Sequence, residues 1–342
     1  MSHPELRTRF TEQFALLTPM ALAPMALASG GALAAACAQA GALGLVGGGY
    51  GDLTWTQREY SLALTHLADD AAQLQRLGCG FITWKLDEDA SALDWVLDQA
   101  HTPRALMLSF GDPAPYAPRI ARAGARLICQ VQRLEQVAQA VDAGASVIVA
   151  QGSEAGGHGM NAHYGRGTMA LVPEIADWLA LHSPEVMLLA AGGIGDGRGL
   201  AAALMLGADG ALIGSRLWAT QESLAARGAQ MQAVATDGDG TARSQVFDIL
   251  RRKNWPEPYD FRAIRNDLHR AWEDRIDELL ADPEPARHDY EAGVQAGDFH
   301  RAHATVGEAV GMIHDVPHAA DLVQHITQQA RQRLLGSNRH IS

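Results

Sequence analysis

The chain predicts an α/β fold: a TIM-type (β/α)8 barrel with a mainly helical insertion after its eighth strand. Three observations lead there. Eight short apolar runs lack the polar–apolar alternation of a half-exposed strand, as expected of strands covered on both faces. Between them lie stretches with apolar residues three and four apart, the spacing of an amphipathic helix. Glycine stands where such a stretch must stop before the next run, at Gly78, Gly124, Gly144 and Gly207. Strand alternating with helix means parallel pairing, and eight such units favour closure over an open doubly wound sheet.

The runs fall at residues 21–25, 42–46, 80–84, 105–109, 127–130, 146–150, 186–191 and 210–213. Helical spacing marks 31–40, 62–77, 133–143 and 199–206. Beyond Gly214 the texture changes. Residues 217–303 carry many charges, are broken by Trp255-Pro256-Glu257-Pro258 and Asp282-Pro283-Glu284-Pro285, and read as helices joined by proline turns. Stretches 305–313 and 319–335 return to amphipathic helical spacing. The expected organisation is a ligand-binding barrel over 1–216, an insertion over 217–303 capping the active-site face, and C-terminal helices over 304–342 that return to the barrel.

A length of 342 residues fits one barrel of about 250 residues with an appendage. Hydrophobic residues make up 47% and charged residues 19%, enough apolar material for a large core. A formal net charge of −12 repels nucleic acid and anionic membranes, so neither is expected as a partner. Cys37, Cys79 and Cys129 stand far apart with no CxxC pair, which argues against a disulfide framework or zinc site and suits a reducing cytoplasm. The first ten residues are polar and lack a signal-peptide pattern. The apolar stretch 15–49 is broken by Pro19, Pro24 and several glycines, so it does not read as a membrane span.

Gly152-Ser153-Glu154-Ala155-Gly156-Gly157-His158-Gly159 follows the sixth run. Barrels carry reactive groups on the loops after their strands. Glycines beside one histidine let backbone approach a flat ligand closely, and a near-neutral imidazole takes or holds a proton at physiological pH. Glu154 either orients this loop or caps a helix. Two further strand-to-helix turns carry glycine: Ala191-Gly192-Gly193-Ile194-Gly195 and Gly214-Ser215-Arg216. Amides unshielded by Cβ atoms at a helix start bind phosphate, and the loops after strands seven and eight of a barrel often share one phosphate. The Ser215 hydroxyl and amide would add donors. Reading Gly193-Ile194-Gly195 as a dinucleotide fingerprint is the weaker choice, because no acidic residue stands where a ribose partner belongs.

Ala23-Pro24-Met25-Ala26 ends the first run; its backbone either faces a bound ring or packs the barrel. Tyr50, Trp55 and Trp84 either wall an apolar pocket or fill the core. His288, His300 and His303, near Asp289 and Asp298, match no metal-ligand spacing and read as solvated helical surface, so no metal is expected.

Taken together, these stretches resemble the nitronate monooxygenase family, formerly called 2-nitropropane dioxygenases. The likeness covers most of the chain. It runs through Ala23-Pro24-Met25, Gly41-Ala42-Leu43-Gly44, Gly80-Phe81-Ile82-Thr83-Trp84, Glu154-Ala155-Gly156-Gly157-His158, Gly192-Gly193-Ile194-Gly195-Asp196 and Gly207-Ala208-Asp209-Gly210 into Gly214-Ser215-Arg216. Asp248-Ile249-Leu250-Arg251 and Trp255-Pro256-Glu257-Pro258 resemble a subset of the family.

The resemblance implies a non-covalent FMN. Pro24, Met25 and Ala26 would touch its isoalloxazine, and Gly156 and Gly157 would lie near the ring. Gly192 and Gly193, with Gly214 and Ser215, would hold the phosphate, and Ala191 would also contact the cofactor. His158 matches the family's catalytic histidine. The implied partners are a small-molecule substrate and O2: an alkyl nitronate, or a nitroalkane, would give a carbonyl compound and nitrite. The alternative is an FMN-dependent enoyl-thioester reductase, or another acceptor oxidoreductase, driven by NAD(P)H on the same barrel. Monomer and homodimer are both compatible. Two departures bear on the flavin. Gln130 stands where several members have lysine, and Ile82 where some have asparagine. A neutral amide at Gln130 would hydrogen-bond the pyrimidine edge but stabilise an anionic reduced flavin less than a cation does.

Overall fold

The computed structural model describes residues 6–336 except Asp69. The start of the polar N-terminal stretch, at 1–5, and the end of the expected C-terminal segment, at 337–342, lie outside the described residues. In chain order the strands are β1 (Met20–Leu22), β2 (Gly44–Gly49), β3 (Leu77–Ile82), β4 (Ala105–Ser109), β5 (Arg126–Val131), β6 (Val147–Gln151), β7 (Gly157–Met160), β8 (Met187–Ala191), β9 (Gly210–Ile213), β10 (Thr241–Ser244) and β11 (Tyr259–Ile264). Eight of them pair in parallel in the order β1-β9-β8-β6-β5-β4-β3-β2. A bridge between Ala21 and Leu43, with Leu22 N donating to Leu43 O at 2.8 Å, closes the ring between β1 and β2. Each of the eight apolar runs contributes one of these strands.

The absence of alternation has a simple cause. Val147, Val149, Met187 and Leu189 face one cluster inside the barrel, while Ile148, Ala150, Leu188 and Ala190 face another under the helices, so both strand faces are dry. Phe10 and Phe14, on the helix Arg9–Phe14, join the inner cluster with their rings 4.9 Å apart. The guanidinium groups of Arg104 and Arg126, at the starts of β4 and β5, lie 5.4 and 5.3 Å from the Phe14 ring centre. This helix therefore plugs the N-terminal end of the barrel. Full burial of each ring contributes roughly 1.5–3 kcal/mol.

Three expectations are corrected. The stretch 62–77 is not one helix. Asp52 accepts from Trp55 N at 2.8 Å and starts a helix earlier, over Leu53–Leu67; Asp70 caps a second short helix, Ala71–Leu74; and Leu77 already opens β3. The stretch 305–313 forms only a 3-10 turn at Glu308–Met312, because the chain before it runs extended against Gly156, where an added Cβ would meet Val306 C at 2.5 Å. Residues 217–303 are mostly helical but contain β10 and β11. These pair antiparallel with each other, and β11 pairs with β7, so the segment around His158 is a strand rather than a free loop. The helix Ala319–Leu335 forms as expected and packs against Gly197–Met205 and Gly31–Gln39.

The apolar stretch 15–49 is divided among β1, the helix Gly31–Gln39 and β2. Among the described residues no helix is long and apolar enough to cross a membrane. Cys37, Cys79 and Cys129 are buried free thiols.

Candidate active site

A cavity of about 940 Å³ opens at the C-terminal ends of the barrel strands. His158 and all the residues expected to bind a cofactor line it. Pro24, Met25 and Ala26 come from the turn after β1, Gln130 from β5, and Gly156, Gly157 and His158 from the start of β7. Ala191, Gly192 and Gly193 come from the end of β8, and Gly214 and Ser215 from the turn after β9.

The rim after β8 and β9 is made of backbone. Gly192 and Gly193 have φ of +99° and +72°, a left-handed conformation in which a side chain would be strained. Glu154 accepts from Thr168 N at 2.9 Å, so it caps the helix Thr168–His182, and its side chain lies against Gly193. The Thr168 hydroxyl lies 3.0 Å from Gly192 O, which ties the turn to that cap. Asp196 accepts from Arg198 N at 2.8 Å and Gly199 N at 3.3 Å, so the start of the helix Gly197–Met205 is already capped from within the chain. This amends the expectation that the helix start itself donates to a phosphate. The open donors lie one turn earlier. Among the described residues no acceptor engages the amides of Gly192, Gly193, Gly214 or Ser215. Ser215 Oγ accepts from Gly307 N at 2.8 Å, which leaves its O–H to donate. Open amides with little side-chain bulk, beside a Glu154 carboxylate already engaged by Thr168, fit a phosphate group.

The part of the cavity around His158 is made of side chains. His158 pairs with Phe261 across the β7–β11 ladder. Its Nε2 lies 2.9 and 3.0 Å from the two carboxylate oxygens of Asp248. Its ring stacks on Trp255 at 3.5 Å and 12° and tilts against Phe261 at 4.8 Å. Burial pushes the imidazole down to about 4, against the upward pull of Asp248, so the ring is neutral at pH 7. The Arg251 guanidinium lies 4.0 Å from Asp248 and over the Phe261 ring at 4.8 Å. Gln151 Nε2 donates to His158 O at 3.1 Å, and Gln151 Oε1 accepts from Gln130 Nε2 at 3.1 Å and Gln132 Nε2 at 2.9 Å. Gln130 thus uses one amide proton to support the histidine strand.

Arg243, on β10, is buried and fixes the glycine-rich loop from below. Its guanidinium donates to Ala155 O and Asp260 O at 2.9 Å and to Gly157 O at 3.3 Å, and it pairs with the Asp260 carboxylate at 3.2 Å. Arg262 adds a bond to Ser153 O at 3.2 Å.

The aromatic residues divide. Tyr50 lines the cavity and its hydroxyl accepts from Trp255 Nε1 at 3.1 Å. Trp84 packs edge-on against Trp255 at 5.4 Å. Trp55 joins the barrel's outer hydrophobic cluster. Ile82 lines the cavity. The surface reading of the histidines is corrected at one position. His288 and His300 are exposed, but His303 lines the cavity, where its Nδ1 lies 2.7 Å from the Tyr290 hydroxyl and burial pushes its pKa down to about 3. Among the described residues no group of three or more His, Cys, Asp and Glu could hold a metal ion.

Sequence reasoning missed Asp248, Arg251, Trp255, Phe261 and Arg243 as parts of the site. Asp248 and Trp255 lay in stretches already noted for their resemblance, yet nothing in their spacing ties them to a histidine 90 positions earlier in the case of Asp248.

The sequence profile of nitronate monooxygenases matches residues 87–329, more than half of the chain. The chain belongs to the nitronate monooxygenase family. A nitronate monooxygenase of Metarhizium robertsii is 35% identical over 93% of this chain and 92% of its own length. One of Neurospora crassa is 32% identical over 91% and 89%. The solved structure of FabK from Thermotoga maritima superposes with a TM-score of 0.81 over 98% of this chain and 100% of that one, at 23% identity, which establishes the shared barrel fold. The protein is accordingly an enzyme of the flavin oxidoreductase kind whose family oxidises nitronates.

Proposed function

We propose that the protein oxidises alkyl nitronates, and nitroalkanes after removal of a proton, with O2 to a carbonyl compound and nitrite, using FMN held in the barrel cavity. The observation that carries this reading is that amides with no acceptor among the described residues and a neutral buried histidine border the same cavity. The amides of Gly192, Gly193, Gly214 and Ser215, with the Ser215 hydroxyl, would hold the phosphate. The turn at Pro24, Met25 and Ala26, the bare backbone of Gly156 and Gly157, Ala191, and the Gln130 amide would border the ring system. FMN supplies the electron transfer; the chain supplies position and electrostatics.

His158, neutral at pH 7, takes the proton from the α-carbon of a nitroalkane. Arg251, Arg252 and Lys253 line the same cavity and favour an anionic nitronate there. Lys253 Nζ lies over the Tyr50 ring at 4.3 Å, on the aromatic side of the cavity. Buried free thiols suit a reducing compartment such as the cytoplasm.

The test is a visible spectrum of the purified protein, then oxygen uptake and nitrite release with ethylnitronate and nitroethane. A flavin spectrum with nitrite formed as O2 disappears supports the proposal. Rapid anaerobic bleaching by NADH or NADPH, with no nitrite from either substrate, would assign the chain to the reductase alternative instead.

A further inference from the structure

We propose that Asp248 is a positioning residue. Its carboxylate, brought by the segment after the barrel's last strand, holds the His158 imidazole as the Nε2–H tautomer and leaves Nδ1 as the ring atom that takes the substrate proton. The inference rests on the proton role proposed for His158.

The geometry constrains the ring from every side. Both Asp248 oxygens reach Nε2, at 2.9 and 3.0 Å. An ionised carboxylate only accepts hydrogen bonds, so Nε2 must carry the hydrogen. The two side chains are 8% and 6% exposed, so water does not compete for the bond. Arg251 Nη1 lies 4.0 Å from the same carboxylate and has no hydrogen-bond acceptor within the described residues. The imidazole plane is set by the Trp255 indole at 3.5 Å. The histidine backbone is set by Phe261 in the ladder and by Gln151. Among the described residues Nδ1 takes part in no hydrogen bond within the protein.

The proton step balances on these atoms. The C–H bond at the α-carbon of a neutral nitroalkane breaks and its proton goes to Nδ1. The bonding pair becomes the C=N bond of the nitronate as the N=O π pair moves onto a nitro oxygen, and the imidazolium formed lies against the Asp248 carboxylate. The charged and titratable groups that face His158 are Asp248 and Arg251 from the helix Val246–Leu250 and the residue after it, Arg243 from β10, and His303 from the chain before the turn Glu308–Met312. Of these, only Asp248 favours the imidazolium; Arg243 and Arg251 oppose it. Asp248 therefore does two things: it fixes which nitrogen is basic and it stabilises the product of proton transfer.

The experiment is nitrogen-15 NMR of histidine-labelled holoenzyme, with the His158 signals identified by their loss in His158→Gln. At pH 7 the wild type is expected to show a protonated Nε2 and an unprotonated Nδ1. In Asp248→Asn the ring should titrate at lower pH than in the wild type, because the favourable charge is gone. The acidic limb of kcat/KM for nitroethane should move the same way, with a loss on the order of 10²-fold. Asp248→Glu should restore part of both. A wild-type ring protonated at Nδ1, or an Asp248→Asn titration identical to the wild type, overturns the inference. A merely structural Asp248 would lower the rate without moving either titration. If Asp248→Asn fails to fold, the wild-type tautomer and Asp248→Glu still decide the matter. If His158→Gln keeps full nitroethane turnover, the proton role falls by itself, and the NMR result still reports whether Asp248 sets the tautomer.

Discussion

The two ends of the cavity are built by different means. The rim after β8 and β9 is local chain chemistry: Gly192 and Gly193 turn left-handed, and among the described residues no acceptor engages their amides or those of Gly214 and Ser215. The wall around His158 is tertiary assembly. Asp248, Trp255, Phe261 and Arg243 reach the histidine only once β10 and β11 have folded onto β7. A rim of amides recognises a phosphate wherever one is presented. A wall of side chains sets the acidity, polarity and shape that decide which reaction follows. The difference suggests that ligand retention and chemistry are separable by mutation, and four experiments press on that separation.

The largest effect is expected at His158. His158→Ala should lose about 10³-fold in kcat/KM with nitroethane while keeping flavin absorbance, because no rim amide is touched. Steady-state oxygen uptake beside a visible spectrum reads both, and loss of flavin along with the rate would erase the separation.

Arg243→Met comes next. It leaves the Asp260 carboxylate and the carbonyls of Ala155 and Gly157 without their buried donor. Unfolding in urea should show a loss of about 3 kcal/mol, with nitroethane turnover falling more than flavin content. Unchanged stability would mean that the loop before β7 holds its shape without this arginine.

Gly193→Val should act on the rim alone. Valine at φ of +72° costs about 1–3 kcal/mol, so the amide turns away and flavin retention in equilibrium dialysis falls about tenfold or more. Excess FMN should recover turnover. Normal flavin content would remove Gly193 from the phosphate site.

The smallest effect is the pH response. With His158 held down to about 4, kcat/KM for nitroethane should be level between about pH 8 and 5 and fall only near the histidine's own midpoint. Stability should follow the same group. A histidine whose folded pKa lies below its ordinary 6.5 makes the unfolded chain the better proton binder, so folding weakens as pH drops from 6.5 toward 4. His303, at about 3, adds in the same direction. Asp260, lifted to about 6 by burial, works the opposite way as pH falls from 6 to its ordinary 3.8. Urea titrations at stepped pH would show which dominates; a gain in stability between pH 6 and 5 would point to Asp260.

The contrast between rim and wall also explains what the sequence made legible. Strands such as Val147–Gln151 are apolar throughout because both their faces are covered, and that pattern survives in one dimension. The glycine turns are legible for the same reason: a left-handed residue before a helix is a local requirement. β10 and β11 were hidden because Arg243 and Arg262 sit within them and look like solvated charge, whereas both guanidinium groups turn inward to backbone carbonyls. His303 looked like surface because its partner, Tyr290, lies on the separate helix Glu284–Ala296. Trp255 stood in a proline-rich stretch that read as a breaker; only the assembled chain lays its indole on the imidazole.

The plug formed by Phe10 and Phe14 has a consequence for traffic. With one end of the barrel stoppered, solutes reach His158 from the opposite side, past Leu27, Leu224 and Val294, apolar side chains about half or more exposed that border the opening. On the proposed reading, gas, organic substrate and released ion would share that opening, and a cofactor lodged in it would have to arrive first and leave last. The sequence of arrivals and departures would then be dictated by architecture before any difference in affinity comes into play.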